Sequence, residues 1–175
     1  MIYLAYGSNM LTERLQRRVP SARPIGRARL PGMGLRFHKR STDDSAKASL
    51  VPTPDGGGAW GVGFEMDEAE LGALDAAEGR GLGYARQRLS VELDGDARAA
   101  VVYTARSAYI DDDLVPYGWY RALVIAGARQ HALPERYVST IRAVPTRRDP
   151  NTGRRTENAI LLRKAGFGPL LDANS

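Results

Sequence analysis

The sequence predicts an α+β fold: a mixed, largely antiparallel β-barrel-like sheet with helices packed on it. Three observations carry that prediction. About seven short strand-like runs are interspersed with four or five helical ones. Most neighbouring strands are spaced as hairpins, with neither a regular βαβ alternation nor an internal repeat. At 175 residues the chain can bury one sizeable core without staples.

The elements follow in chain order. Residues 2–6 are apolar and rich in β-formers, which reads as an interior strand. Asn9 is placed to cap a helix with Glu13 in its first turn, then Arg14, Arg17 and Arg18, and Pro20 at its end. Strand-like runs follow at 25–30, 34–38 and 48–52, with a polar loop expected over 40–47. The turn signal Pro54-Asp55-Gly56-Gly57-Gly58 leads into a strand over 60–66. Asp67 is expected to cap a helix reaching Glu78, in which Leu71, Leu74 and Glu78 share a face, and Gly79 supplies the left-handed residue after it. Strands over 84–93 and 98–104 join through Asp94-Gly95, a dipeptide suited to a tight hairpin. Pro116 is expected to open a helix to about His131, with Tyr120, Leu123, Val124, Gly127 and His131 on one stripe. Pro134 opens a shorter helix to about Arg142, and 156–164 forms a final one. The organisation expected is a main domain over 1–145 and a basic C-terminal extension over 146–175, able to pack on the same domain.

Apolar residues make up 43% and charged residues 26%, ordinary values for a soluble globular protein. The absence of cysteine excludes disulfides and thiolate chemistry and suits a reducing compartment. The first ten residues carry no basic leader, and no apolar stretch approaches the roughly 20 residues of a membrane span, so the expected location is the cytoplasm. The net charge of +5 lies wholly within 136–175, where eight basic side chains face three acidic ones. Only Tyr137 and Phe167 are aromatic there, too few for a base-stacking platform. A solvated basic surface is therefore favoured over nucleic-acid binding.

Glu78 stands out on physical grounds. A carboxylate at a helix C-terminus faces the negative end of the macrodipole, and a face shared with two leucines adds desolvation. Both effects disfavour ionisation and suit a group that works first as base and then as acid. The competing structural role is a carboxylate that is solvated or paired with Arg80 or Arg86. Upstream, Gly7-Ser8-Asn9 presents backbone N–H groups as a cradle for an anion or oxyanion, with an ordinary strand–helix connection as the alternative. Ser8 as a nucleophile is disfavoured: the G-x-S-x-G elbow is missing, and only His38 or His131 could act as its base. Two histidines 93 positions apart, without cysteine, leave no metal-ligand set. The glycines match neither a P-loop nor a dinucleotide fingerprint. Tyr84, Tyr103 and Tyr120 recur near element ends, where pocket and core roles are both open.

In order along the chain stand Tyr3-x-x-Tyr6-Gly7-Ser8-Asn9-Met10, Trp60-Gly61-Val62, Leu74-Asp75-x-x-Glu78-Gly79 followed by Tyr84 and Arg86, Val102-Tyr103, Pro116-x-x-x-Tyr120, and Gly127-Ala128-x-x-His131-x-Leu133-Pro134-x-x-Tyr137. Through this ordered set, residues 3 to about 142 resemble the γ-glutamylcyclotransferase (AIG2-like) family. Phe37-His38-Lys39-Arg40-Ser41 looks like a feature of its bacterial members. The resemblance implies a mixed β-barrel with a pocket at one end. It further implies conversion of a γ-glutamyl amide or amino acid to 5-oxoproline with release of the amine. Glu78 would be the general acid/base, and Tyr3, Leu4, Ala5, Tyr6, Gly7 and Ser8 the loop that holds the glutamyl group. Tyr84 and Tyr120 would lie in the substrate site, although the step from Glu78 to Tyr84 is one residue shorter than in some members. No cofactor or metal is implied, because the substrate's own α-amine is the nucleophile. The expected partner is a small γ-glutamyl substrate, with no membrane and with nucleic acid disfavoured. Three readings stay open beside this one: the same mechanism on a γ-glutamylamine or γ-glutamyl-protected metabolite, a non-catalytic small-molecule-binding module on the same fold, and nucleic-acid binding through the basic tail.

Overall fold

The computed structural model describes residues 1–54, 56–79 and 83–170. Strand β1 (Ile2–Ala5) lies between β5 (Gly58–Glu65), antiparallel to it, and β7 (Asp96–Ala105), parallel to it. Flanked on both sides, it buries Tyr3, Leu4 and Ala5, which explains its unbroken apolar run. β2 (Arg23–Pro31) pairs with β5 and with β6 (Tyr84–Leu93), and β6 pairs with β7. The five strands close into a barrel in the order β1-β5-β2-β6-β7, which leaves no open edge. The other two strands stand outside it. β3 (Met33–Arg40) and β4 (Ala46–Pro52) form a separate antiparallel hairpin. Local alternation cannot tell a barrel strand from a hairpin strand, since partner choice is long-range.

Several helix starts differ from the sequence-based expectation, each because a turn intervenes. Residues Ser8–Met10 form a 3-10 turn ahead of α1 (Thr12–Gln16), so Leu11 and not Asn9 takes the cap position. After Asp67, which makes no side-chain cap bond, a 3-10 turn over Glu68–Glu70 precedes α2 (Leu71–Glu78). Leu74 is fully buried, whereas Leu71 and Glu78 are half-buried, so the face they share is only partly covered. Gly79 ends α2 with φ 61°, the left-handed conformation expected of it. Asp94 and Gly95 have φ of 48° and 99° and turn β6 into β7, as that dipeptide favours. Asp55 of the preceding turn signal lies outside the described residues.

Helix α3 (Gly118–Gln130) starts two residues after Pro116, with Tyr117 at its cap. It is buried nearly all round, not along one stripe, because the Ser8–Met10 turn, α4 (Glu135–Arg142) and α5 (Thr152–Lys164) all pack on it. Full burial of Leu123 and Ile125 contributes about 1.5–3 kcal/mol each. Gly127 lets the turn approach closely: a Cβ there would stand 2.5 Å from the Leu11 nitrogen and 2.6 Å from the Met10 carbonyl carbon.

Helix α5 begins four residues earlier than expected, since Asn151 caps it by accepting from the Arg154 N–H at 2.9 Å. The segment before it is tied to the rest of the fold. Buried Asp149 accepts from Trp119 Nε1 at 2.8 Å and from Arg154 Nη2 at 2.6 Å. Arg147 and Arg154 lay their guanidinium groups over the Tyr117 ring at 5.1 and 5.4 Å. Part of the basic segment thus serves packing. Among the described residues, no helix is long and apolar enough to cross a membrane.

Candidate active site

A cavity of about 350 Å³ lies where the end of β1, the turn after it, the C-terminus of α2, the β3–β4 hairpin and the start of α3 meet. Tyr3, Tyr6, Gly7, Ser8, Glu78, Tyr84 and Tyr120 all line it. Leu4 and Ala5 do not. Both are packed in the core, and the Ala5 carbonyl sits so near Gly61 that a Cβ there would come within 2.4 Å of it.

Glu78 is held by one oxygen. Oε1 accepts from the Tyr3 hydroxyl at 2.7 Å and from Asn9 Nδ2 at 2.7 Å, while Oε2 takes no hydrogen bond among the described residues. Arg18 Nη1 donates to Asn9 Oδ1 at 2.8 Å, which turns the amide nitrogen toward Glu78. Burial first, and then the nearby Glu78 charge, hold the Tyr3 hydroxyl well above its ordinary pKa, so it stays a donor at neutral pH. The Tyr6 hydroxyl donates to the Tyr103 carbonyl, and the Tyr3 and Tyr103 rings meet edge-on at 6.0 Å.

The neighbouring carboxylates are already engaged. Asp43 accepts from Lys47 Nζ at 2.7 Å; Asp75 accepts from Arg86 at 2.7 Å and from the Tyr103 hydroxyl at 2.6 Å. Arg86 therefore pairs with Asp75 and not with Glu78. Arg80, the other partner considered for Glu78, lies outside the described residues. Among the described residues, Glu78 is the cavity carboxylate without an ion pair.

Tyr84 and Tyr120 line the cavity, and the hairpin engages both hydroxyls, although Tyr120 also meets Ser8. The Tyr84 hydroxyl donates to the Ala48 carbonyl at 2.6 Å, and the Tyr120 hydroxyl accepts from the Ala48 N–H at 3.1 Å. The Tyr117 hydroxyl adds a third clamp by donating to the Asp43 carbonyl at 2.8 Å. These tyrosines position a wall of the site.

Sequence reasoning missed a cationic part of the lining: Arg14, Arg18, Lys39 and Lys47, with Asn9 and Asp43 among them. Arg14 Nε donates to Ser8 Oγ at 3.1 Å, and burial lowers its pKa to about 10. Lys47 lies 4.9 Å from the Trp119 ring centre and 4.8 Å from that of Tyr120. Burial lowers its pKa to about 8, even with Asp43 opposing the shift. Burial pushes Asp43 up, but the bonds from Lys47 and Ser45 bring it below the usual carboxylate range. The available signal was the polar run from Phe37 to Lys47, whose place beside the cavity depends on where the hairpin docks.

Ser8 has an arginine beside it and no histidine. His38 Nδ1 lies 2.9 Å from Asp112, and His131 Nε2 lies 3.0 Å from Thr12 Oγ1. Among the described residues, no group of three or more His, Asp or Glu side chains is placed to hold a metal.

A barrel-borne cavity with one anchored carboxylate and a ring of fixed donors defines the class: an enzyme-like pocket for a small molecule. Known proteins narrow that class. A family model described as γ-glutamyl cyclotransferase, AIG2-like, matches residues 3–122, and the chain belongs to that family and is an enzyme of that type. It is 30% identical over 174 residues to the γ-glutamylcyclotransferase of Homo sapiens, covering 94% of this chain and 88% of that one. The Mus musculus γ-glutamylcyclotransferase is 30% identical over 150 residues, covering 82% and 78%. A solved structure named γ-glutamyl cyclotransferase superposes with a TM-score of 0.82 at 28% identity, covering 94% of this chain and 98% of that one.

Proposed function

We propose that this enzyme cyclises the γ-glutamyl group of a small amide to 5-oxoproline and releases the amine, with Glu78 as base and then acid. The observation that carries the reading is the carboxylate of Glu78, anchored through Oε1 by Tyr3 and Asn9 with Oε2 left unengaged.

The substrate's α-amine attacks its own γ-carbonyl carbon, forming the ring C–N bond; the original amide C–N bond then breaks. Because nucleophile and electrophile share one molecule, a high effective molarity replaces an enzyme nucleophile. An α-ammonium with a pKa of about 7.7–8.0 is mostly protonated at neutral pH, so a proton must leave before attack. Glu78 Oε2 accepts that proton and returns it to the departing nitrogen; the second proton, shed by the ring nitrogen once the new C–N bond has formed, follows it, so the amine leaves as its ammonium. Gly7 and Ser8 open the 3-10 turn, where backbone N–H groups lack intrahelical acceptors. Those donors bind the oxyanion or the α-carboxylate of the glutamyl group.

The test is product release from γ-glutamyl-alanine, following 5-oxoproline and alanine together. Glu78→Gln keeps the shape of the side chain and removes the base, so formation should fall by about 10²-fold or more. Near-unchanged turnover in a folded Gln variant would sink the assignment of Glu78. Tight binding without turnover by the unaltered protein would instead support a binding module.

A further inference from the structure

The run from Phe37 to Lys47 takes no part in the proton transfer just described, yet the fold brings Lys39, Ser41, Thr42, Asp43 and Lys47 to the cavity. Its cations differ in how they are satisfied. Lys47 is spent on Asp43, Arg18 on Asn9, and Arg14 on Ser8 and Asn158. Lys39 Nζ lies over aromatic faces, 4.6 Å from the centre of the Tyr84 ring and 5.9 Å from that of Tyr109, and feels the charges of Glu78 and Asp43 without pairing with either. It makes no ion pair among the described residues. A half-buried ammonium in this state keeps three donors for a ligand.

We propose that Lys39 is a specificity-determining residue that binds a carboxylate carried by the leaving amine, beyond the scissile amide. The inference rests on the cyclotransferase reading of the same site. Charge balance supports it. Arg14, Arg18, Lys39 and Lys47 face only Glu78 and Asp43, a surplus of two positive charges along the lining. The glutamyl group brings one carboxylate together with its α-ammonium, so it leaves that surplus in place. Arg14 and Arg18 already donate to Ser8, Asn158 and Asn9, so among the described residues the lining cation left without a hydrogen-bond acceptor is Lys39, on the hairpin. Burial lowers the Lys39 pKa even with Glu78 and Asp43 opposing the shift, so an anionic ligand would add to the charge stabilisation that water no longer supplies. A diamine leaving group would bring a second cation against Lys39 and be disfavoured.

The experiment compares kcat/KM for γ-glutamyl-alanine and γ-glutamyl-alaninamide, which share shape and differ by one charge. A charge-assisted contact of this kind predicts a preference for the acid of about tenfold or more in the unaltered enzyme. Lys39→Met should reduce that preference to about two- to threefold, and Lys39→Arg should retain most of it. Raising the salt should narrow the gap in the unaltered enzyme, since the site opens to solvent. A Lys39→Met variant that loses activity equally on both compounds, or on neither, overturns the inference. No 5-oxoproline from either compound would remove the cyclotransferase reading and this inference with it; product from both at an unchanged ratio removes the inference alone.

Discussion

The side-chain amide of Asn9 donates to Glu78 Oε1 at 2.7 Å, joining residues 69 positions apart in the chain. The bond links the 3-10 turn after β1 to the last residue of α2, and Arg18 behind Asn9 sets its direction. Glu78 is thereby oriented by the same turn whose backbone faces the substrate cavity. The proposed base and the turn that lines the cavity are mechanically one unit.

Removing the amide should therefore impair chemistry more than binding. With one charge-assisted hydrogen bond lost, Asn9→Ala is expected to lower kcat by about tenfold or more and to leave KM much less changed. Steady-state 5-oxoproline formation checks this, with thermal melting to confirm that the variant folds. An unaltered kcat would mean that Asn9 does not position Glu78.

The tyrosine clamps on Ala48 predict a different phenotype. Tyr84→Phe and Tyr120→Phe should each destabilise by about 1 kcal/mol and loosen the β3–β4 hairpin. Faster amide hydrogen exchange over 46–50 and a raised KM are the expected readouts. Unchanged exchange in both variants would contradict the clamp.

Gly127 is a packing test. A methyl group there meets backbone atoms of Met10 and Leu11, which cannot swing aside as a flexible side chain would. Gly127→Ala should cost about 1–3 kcal/mol in denaturant unfolding and lower activity by displacing the Ser8–Met10 turn. Wild-type stability in this variant would rule out the close approach of α3 to the turn.

Asp149 predicts a pH dependence. Burial raises its pKa, but the bonds from Arg154, Asn151 and Trp119 outweigh that and hold it at about 2, below the ordinary 3.8. A folded pKa below the unfolded one gives stabilisation that is complete above 3.8 and is lost as pH falls toward 2. Asp149→Asn should be less stable at pH 7 by about 2–4 kcal/mol, and the difference should shrink between about pH 4 and pH 2. Melting temperatures of the two proteins across that range decide it; a constant difference would argue against the charge.

Local signals in the chain carried much of the barrel. Strand alternation and Asp94-Gly95 mark the β6–β7 hairpin, and Gly79 ends α2 in the conformation that glycine favours. Where two local signals compete, the sequence is less informative. Asn9 is as good a helix cap as Asn151, yet only Asn151 caps, because Glu78 and Arg18 claim the side chain of Asn9. Likewise, 34–38 and 48–52 read as strands like the others, but only closure of the barrel decides that they are left out.

By itself, the sequence determined the α+β class, the strand inventory and the two segments, Tyr3–Asn9 and Leu74–Gly79, that meet at the site. It did so because turn chemistry, alternation and an ordered set of motifs are properties of neighbouring residues. Only the tertiary structure decided that Leu4 and Ala5 are core, that Tyr84 and Tyr120 hold the hairpin, and that Lys39 stands without an ion pair among the described residues. Those outcomes depend on which groups meet after the barrel closes. Contacts such as Asn9 to Glu78 are set by long-range packing, which no local pattern in the chain encodes.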